Sequence, residues 1–409
     1  MIEARKTRIR FRDFVVIPYF LFGTIGLVPF DPHPGYRIPW LKNLWWWSSY
    51  VNHFLCVVGE LIYFYVAWEP GKEEVFLEFT ALAPCTIFST ISIIKMNMIW
   101  WNRKRLTWIV NELERIFPKS EDEQKEYEIM ETRRQSYLIM IYFSASYMIL
   151  IWVFNLMPLI MSFIDYADTG VYNRLLPYFI WYPFDATKGN MYMIIYAQQN
   201  WGGFVAMIGI LGTDLFFGCF ITQLSMQFKT LAKHLAIITT PRRAKRLRNA
   251  RLKEAIERHI ILIDLCAEME SIYNFSILCN FVLSSLMICL VGFQATNPDV
   301  HFDIWFKYIV FLICALWQVF CLCYYGNVLQ ESSQSISSGA FSSQWYREDA
   351  KYQKCILLMI MRAQKPLSLT AGKFSVVSLR SFTAILSTAF SYFTLLRSVY
   401  YDTADRSSF

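Results

Sequence analysis

Charged residues are scarce in this chain. Asp, Glu, Lys and Arg make up 17% of its 409 residues, whereas 55% are hydrophobic and 18% are aromatic. A soluble domain of this length would not collect its apolar residues into runs of 20 or more, yet this chain does so repeatedly. The formal net charge of +7 therefore indicates membrane topology rather than a nucleic-acid surface. The composition predicts a multi-pass protein of the cell membrane that contacts lipid. It predicts no nucleic-acid partner.

Cysteine and histidine do not occur in the patterns that build disulfide frameworks or metal centres. Of the ten cysteines, all but Cys266 and Cys355 lie in apolar runs, and none lies in a segment predicted to be outside the cell. The five histidines have no zinc-ligand spacing. No nucleophile–base arrangement stands out, and no internal repeat of the transporter type is visible. We therefore expect no cofactor, no metal and no enzymatic activity.

Seven apolar segments are long enough to cross a bilayer, because about 20 residues at 1.5 Å rise span its core. Between the second and third segments, a charged stretch places Leu106, Ile109, Val110, Leu113 and Phe117 on one helical face. Further charged helical pieces precede the fifth and seventh segments. The predicted spans are residues 44–68, 75–99, 137–164, 191–228, 271–296, 304–330 and 374–401.

The distribution of Lys and Arg predicts the orientation. Segments 1–13, 95–135, 239–258 and 331–373 together hold 28 of them, and the alternate connections hold 4. Positive charge marks the cytoplasmic side. The N-terminus is therefore predicted in the cytoplasm and the C-terminus outside, which is the reverse of a G-protein-coupled receptor.

The last predicted span carries many hydroxyl groups and one conspicuous stripe. At 100° per residue, Ser381, Thr388 and Leu395 share a line, with Ile385, Tyr392 and Val399 beside it. The stripe starts polar and ends apolar, as in a water-lined path with an apolar constriction. A packing face of small residues explains the same pattern equally well.

Four segments resemble the signature of insect odorant receptors. They are TAGKFSVVSLRSFTAILSTAFSYFTLLRSV at 370–399, CYYGNVLQESS at 323–333, AFSSQWY at 340–346 and, more weakly, PYFIWYPFD at 177–185. The resemblance implies an all-α membrane fold with seven transmembrane helices, the insect olfactory receptor channel fold. The connection between spans four and five is short, as in the family's ligand-specific subunits. The shared co-receptor carries a much longer insertion there, so the chain resembles the ligand-specific kind.

The resemblance also implies a function. We expect an odorant-binding subunit of a heterotetrameric, nonselective cation channel, assembled with co-receptor subunits in olfactory neuron dendrites and opened by a small volatile organic ligand. The implied division is a cytoplasmic N-terminus and membrane-surface lead-in (1–43), a six-helix bundle with an outer-half ligand pocket (44–330), a cytoplasmic anchor segment (331–373), a pore-lining seventh helix (374–401) and an extracellular tail (402–409). A gustatory-type receptor channel is the nearest alternative; a G-protein-coupled receptor fits less well.

Two sets of residues are predicted to carry this function. The family's pore constriction maps onto Leu395 and Val399, with Tyr392 and Thr388 on the same stripe. Aromatic residues in the outer halves of spans two, three, four and six are candidates for an apolar ligand pocket, although bundle packing explains any one of them as well. The pocket candidates are Phe76, Phe79, Thr80, Phe154, Tyr192, Tyr196, Tyr308 and Phe311.

Three charged residues inside the predicted spans are further candidates, since charge within a membrane is costly unless it has a role. They are Glu60, Asp214 and Lys307. The sequence does not choose a partner for Glu60 or Asp214. Lys307 lies near the outer end of its span, where its ammonium group can reach the interface.

Overall fold

Helices account for almost all of the secondary structure. A computed structural model describes residues 9–67, 73–170, 172–239, 245–296 and 302–407. One hairpin of two short strands, β1 (Thr370–Ala371) and β2 (Ser375–Val376), accompanies the helices. The helices are α1 (Val16–Thr24), α2 (Trp40–Ala67), α3 (Glu73–Trp101), α4 (Arg103–Ile116), α5 (Glu121–Glu126), α6 (Ile129–Thr169), α7 (Met191–Ala236), α8 (Lys245–Ala295), α9 (Phe302–Ser342), α10 (Ala350–Gln364) and α11 (Leu379–Ser407).

The prediction of seven membrane spans is confirmed. Within the described residues, α2, α3, α6, α7, α8, α9 and α11 are long and apolar enough to cross a bilayer. Several extend beyond the predicted spans. Helix α8 runs unbroken for 51 residues, joining the charged piece before residue 271 to the fifth span. No Gly or Pro interrupts residues 245–273, so its backbone hydrogen bonding continues from cytosol into membrane.

Helix α7 is the centre of the bundle. In its most apolar window, 89% of the residues are buried, compared with 6% in α11. It packs against α1, α2, α3, α6, α8 and α9. Helix α11 contacts only α8 and α9 among the spans with substantial packing. One face of α11 is therefore left uncovered within a single chain.

The N-terminal segment enters the bundle. Phe22 of α1 and Ile25, the residue that follows the helix, are fully buried, and the Phe22 ring lies 5.8 Å from the Phe216 ring of α7. The Cys219 thiol of α7 donates to the Phe14 carbonyl at 3.1 Å. The expected surface lead-in thus keeps one exposed apolar face, including Phe20, and buries the other against the central helix.

The seventh helix begins later than predicted. Residues 374–376 belong to the β1–β2 hairpin, in which Thr370 pairs with Val376, and the helix starts at Leu379. Gly372 (φ 58°) and Lys373 (φ 64°) occupy the left-handed region that a tight hairpin turn requires. The prediction that the span starts at residue 374 is wrong. An apolar, hydroxyl-rich sequence is compatible with a strand as well as with a first helical turn.

The cytoplasmic helices bury the predicted face. Leu106, Ile109, Val110 and Leu113 of α4 are at most 2% exposed, and Phe117 is also buried. Helix α10 packs on α9 through Tyr352, Ile356 and neighbouring residues.

The N-terminus of α10 is capped by Asp349, whose carboxylate accepts the Tyr352 amide at 2.9 Å. This hydrogen bond, with the Lys245 ammonium at 2.9 Å, holds the pKa of the Asp349 carboxyl below its usual value. The opposite face of α10 leaves Leu357, Leu358 and Met361 exposed. That face is an apolar surface on the cytoplasmic side.

Candidate functional site

A small cavity lies in the half of the bundle that the charge pattern places outside. Five helices, α2, α3, α6, α7 and α9, form its walls, and the connection between α6 and α7 closes it. The residues that line it are His53, Cys56, Glu60, Cys85, Phe88, Ser89, Tyr147, Leu150, Ile151, Phe154, Tyr178, Ile180, Gln199, Gly202, Gly203, Ala206, Met207 and Phe311.

Aromatic rings form a continuous wall of this cavity. Phe311 of α9 contacts Phe154 of α6 edge-to-face at 5.4 Å and Phe88 of α3 edge-to-face at 5.7 Å. The Tyr147 ring lies 6.2 Å from Phe88, and the Tyr178 ring stacks on Phe154 at 6.4 Å. Such a wall offers apolar area and few hydrogen-bonding groups, as in sites for small organic molecules.

The connection between α6 and α7 covers the cavity, and its PYFIWYPFD motif supplies the cover. The Trp181 amide donates to the Gly59 carbonyl at 3.1 Å, which sets Ile180 directly on the α2 backbone. A Cβ at Gly59 would overlap Ile180 Cγ2, so glycine is needed for this close approach. The Tyr178 hydroxyl donates to Asn155 Oδ1 at 3.0 Å. The cover is thus tied to both α2 and α6.

Polar side chains also line the cavity, and several of them have hydrogen-bond partners. His53 Nε2 lies 3.2 Å from the Ser89 carbonyl. Gln199 accepts the Tyr178 amide at 3.0 Å. Glu60, in contrast, is 2% exposed, and its Oε2 has no hydrogen-bond partner among the described residues. Among the described residues of the cavity lining, Glu60 on the α2 wall therefore carries the one carboxyl group.

Two of the predicted pocket residues, Phe154 and Phe311, line the cavity. As ligand contacts they stay predictions. Phe79 does not line it; its ring packs against Phe64 at 4.6 Å and is 36% exposed. The side chain of Phe76 lies outside the described residues.

Thr80 and Tyr308 are buried beside the cavity, but their polar atoms join helices instead of facing it. Thr80 Oγ1 accepts from Gln294 Nε2 of α8 at 2.6 Å. The Tyr308 hydroxyl of α9 donates to the Ala81 carbonyl of α3 at 3.1 Å. Both residues therefore hold α3 against its neighbours, which is the packing explanation for an aromatic or hydroxyl residue at this level.

Tyr192 and Tyr196 hydrogen-bond the outer end of α7 to the α6–α7 connection and to α6. The Tyr192 hydroxyl donates to the Leu175 carbonyl at 2.9 Å, and the Tyr196 hydroxyl donates to the Asn155 carbonyl. Neither side chain lines the cavity. The sequence placed them on the correct face of α7, since Tyr192 and Gln199 are seven residues apart, but they lie nearer the outer end of the helix than the cavity-lining Gln199 and Met207.

Three lining residues of α2, His53, Cys56 and Glu60, were not among the predicted pocket residues. They recur at intervals of three and four residues in a span otherwise rich in aliphatic and aromatic side chains. That spacing places them on one helix face. Polar side chains at helical spacing in an otherwise apolar span were therefore the signal from which these lining residues could have been predicted.

The other two charged candidates have specific neighbours. Lys307 Nζ lies 4.1 Å from the centroid of the Phe154 ring, a cation–π contact next to the cavity. Asp214 accepts from Lys95 of α3 at 2.5 Å and from Gln318 of α9 at 3.0 Å. Gln318 Nε2 also lies 3.3 Å from Asn280 Oδ1 of α8. Asp214 is therefore the hub of a polar network among four spans.

The predicted pore residues lie on the uncovered face of α11. Tyr392, Leu395 and Val399 are 51%, 62% and 52% exposed, and Thr388 is exposed as well. The lower part of the predicted stripe differs, because Ser381 and Ile385 are buried against the bundle. The stripe therefore faces away from the chain's own helices only over its outer half.

The fold and this sequence both match known receptors. A sequence model of the family described as 7tm Odorant receptor matches residues 76–390. Odorant receptor 85c of Drosophila melanogaster is 30% identical over 95% of this chain and 99% of its own length. Odorant receptor 67c of the same species is 29% identical over 95% and 96%. The solved structure of the insect olfactory receptor OR5 from Machilis hrabei in complex with eugenol superposes with a TM-score of 0.82 at 16% identity, covering 95% of this chain and 98% of that one.

These matches define a seven-helix receptor of the insect olfactory class. The chain belongs to the odorant receptor family, as the match to more than half of its length shows. The expected all-α membrane fold and the expected multi-pass membrane location are confirmed. The relatives named above are odorant receptors and not the shared co-receptor, as the sequence predicted.

Proposed function

We propose that this chain is the odorant-binding subunit of a heteromeric, ligand-gated, nonselective cation channel in olfactory neurons. The observation that carries the proposal is a cavity with aromatic walls in the same chain as a membrane helix with an uncovered face. The first holds a small organic molecule and the second contributes to a shared pore. Family membership supports this function over a gustatory-type channel or a G-protein-coupled receptor.

The cavity sets the class of ligand. None of the residues that line it in the described part of the chain is Lys or Arg. A volatile molecule with a carbon skeleton and at most a few polar atoms fits these walls. The solved relative holds eugenol, a ligand of this kind.

Helix α9 connects the cavity to the pore helix. Phe311 lines the cavity, and Phe320 on the same helix contacts Phe382 of α11 edge-to-face at 5.6 Å. Further along α9, Gln330 Nε2 donates to the Val377 carbonyl at 2.9 Å. A ligand that favours a different position of α9 therefore acts directly on α11. Only a difference in affinity between closed and open states can shift their populations.

Exposed apolar faces support assembly with other subunits. Leu357, Leu358 and Met361 form one such face on α10, and the outer stripe of α11 forms another. Contiguous apolar surface on the cytoplasmic side is expected to be covered by protein. We propose that the α10 face contacts neighbouring subunits and that α11 lines a central pore of a heterotetramer with co-receptor subunits.

The deciding experiment is whole-cell recording from cells that express this chain with or without an insect co-receptor, under blocked G-protein signalling and with a broad odorant panel. We expect a fast cation current only with the co-receptor. Current from this chain alone would make it a self-sufficient channel. No current in either condition, with surface expression confirmed, would contradict the proposed channel function.

A further inference from the structure

We propose that Glu60 selects ligands with a hydroxyl group, so that the ligands of this receptor are volatile alcohols or phenols. The inference rests on the proposed odorant-binding function and narrows it to a chemical class. It assigns the role of a specificity-determining residue to a side chain of α2, and it follows from the burial and the missing partner of this carboxyl group.

Glu60 is the unsatisfied polar group of the cavity. Its side chain lines the cavity and is 2% exposed. Among the described residues that line the cavity, Glu60 Oε2 is the buried side-chain atom without a hydrogen-bond partner. The Thr86 hydroxyl of α3 approaches the carboxyl group, yet Oε2 keeps free hydrogen-bonding capacity. An unmet buried carboxyl oxygen costs free energy that a ligand can recover.

Several neighbouring polar groups are already occupied. His53 Nε2 is 3.2 Å from the Ser89 carbonyl. Gln199 Oε1 accepts the Tyr178 amide, and Gln199 Nε2 donates to the Tyr182 hydroxyl at 3.3 Å. A ligand that enters the cavity therefore meets Glu60 as a carboxyl group with spare hydrogen-bonding capacity, alongside the Tyr147 and Ser89 side chains of the lining.

The chemistry of a carboxyl group favours a hydroxyl ligand over other polar volatiles. A carboxyl group presents a hydrogen-bond acceptor in either protonation state, whereas it donates only when protonated. An alcohol or phenol both donates and accepts, so it satisfies Glu60 in both states. An ether or ester only accepts. A protonated amine would have to leave its hydration shell for an apolar membrane cavity, which is far more costly.

The aromatic wall accommodates the rest of such a ligand. Phe88, Phe154 and Phe311 contact one another edge-to-face and offer ring faces and edges to a carbon skeleton. A phenol or a medium-chain alcohol then places its skeleton on these rings and its oxygen at Glu60. Affinity comes mainly from the rings, and the preference for the hydroxyl group comes from α2.

The test compares matched ligand pairs in which a phenol or an alcohol differs from its methyl ether, such as eugenol and methyl eugenol. The full receptor, expressed with the co-receptor, is measured as wild type, Glu60→Met and Glu60→Gln. We expect the wild type to prefer the hydroxyl member. Glu60→Met should reduce that preference about tenfold, the value of one good hydrogen bond, and Glu60→Gln should retain most of it because its amide oxygen still accepts.

Phe311→Leu is the control for the carbon skeleton. It should weaken both members of each pair and leave their ratio unchanged. An unchanged hydroxyl-to-ether ratio in Glu60→Met would overturn the inference, as would a wild-type receptor that answers amines or ethers better than alcohols. Equal loss for both members in Glu60→Met would assign Glu60 a packing role instead.

A binding measurement separates this inference from the proposed channel function. Thermal stabilisation of the purified receptor complex by the same pairs reports binding without gating. Stabilisation by the hydroxyl member in a complex that passes no current would contradict the channel function and uphold the role of Glu60. An evoked current together with equal thermal stabilisation by both members of a pair would uphold the channel function and contradict the role of Glu60.

Discussion

Lys95 and Asp214 form an ion pair of 2.5 Å in the interior of the membrane bundle, with side chains only 4% and 11% exposed. The pair joins α3 to the central helix α7, and Gln318 and Asn280 extend it to α9 and α8. A buried pair is well compensated only while both partners and their hydrogen bonds are in place. Four spans are therefore held in register by one network.

Removing one partner of this pair should destabilise the receptor strongly. Asp214→Leu leaves the Lys95 ammonium buried without its counterion, at a cost of about 3–5 kcal/mol. We expect a lower thermal unfolding temperature of the purified complex. The double variant Lys95→Met with Asp214→Leu is the control and should recover most of the loss. If the single variants Asp214→Leu and Lys95→Met both left the unfolding temperature unchanged, the assignment would be contradicted.

Replacing Leu395 with Thr should raise the current that flows without ligand. Leu395 is 62% exposed on the stripe of α11, and an apolar constriction that excludes water conducts more readily once it is polar. Leu396→Thr is the matched control, because the adjacent Leu396 is half-buried on another face of the helix. Recordings in which both variants behave alike would argue against Leu395 as part of the gate.

Gly59→Ala should weaken odorant responses, since its Cβ would displace Ile180 from the cover of the cavity. Dose–response curves measure the change. Ile180→Ala added to Gly59→Ala makes room for the new methyl group and should restore surface expression. Gly23→Ala in α1 serves as a control because a Cβ there meets nothing within 4 Å. If Gly59→Ala changed the dose–response curve as little as Gly23→Ala does, the close packing of Ile180 on Gly59 would be contradicted.

Phe154→Leu should shift odorant sensitivity by about tenfold, or 1.4 kcal/mol, because it removes a ring from the cavity wall. Tyr192→Phe removes only a hydroxyl group that binds the Leu175 carbonyl, so its dose–response curve should stay close to that of the wild type. The reverse order of effects would place the ligand outside the cavity described above.

Leu358→Asp should impair assembly with the co-receptor. Leu358 is 65% exposed on the apolar face of α10, and a charge there cannot be buried in a subunit interface without a partner. Co-purification of tagged subunits measures the effect. Lys188→Glu in the connection between α6 and α7 also introduces a negative charge, but on an 83% exposed side chain far from α10, and should assemble normally.

Much of the fold could be predicted because membranes require long apolar segments. The seven spans, the buried face of α4 and the helical character of α10 all follow from hydrophobic periodicity, which depends on local sequence alone. The exposed stripe with Leu395 and Val399 was predicted on the same basis. In each case the signal lies within one helix.

The pocket depended on relations between helices, which periodicity does not contain. Tyr192 and Gln199 lie on the same face of α7, seven residues apart, so the depth of the cavity along the helix decides between them, and one sequence does not fix that depth. Lys95 was counted with a cytoplasmic connection, so its pairing with Asp214 was not predicted. The β1–β2 hairpin was missed because the left-handed turn at Gly372 and Lys373 depends on only two residues.

The burial of α1 against the middle of α7 bears on how the chain is made. Phe22 meets Phe216, so two segments separated by nearly half the protein must find each other. During synthesis the N-terminal segment has to wait at the membrane until the fourth span is inserted, and its apolar face is meanwhile without its final neighbour. Such distant pairing slows maturation. Bulky N-terminal fusions should therefore reduce the yield of assembled receptor more than equivalent C-terminal ones.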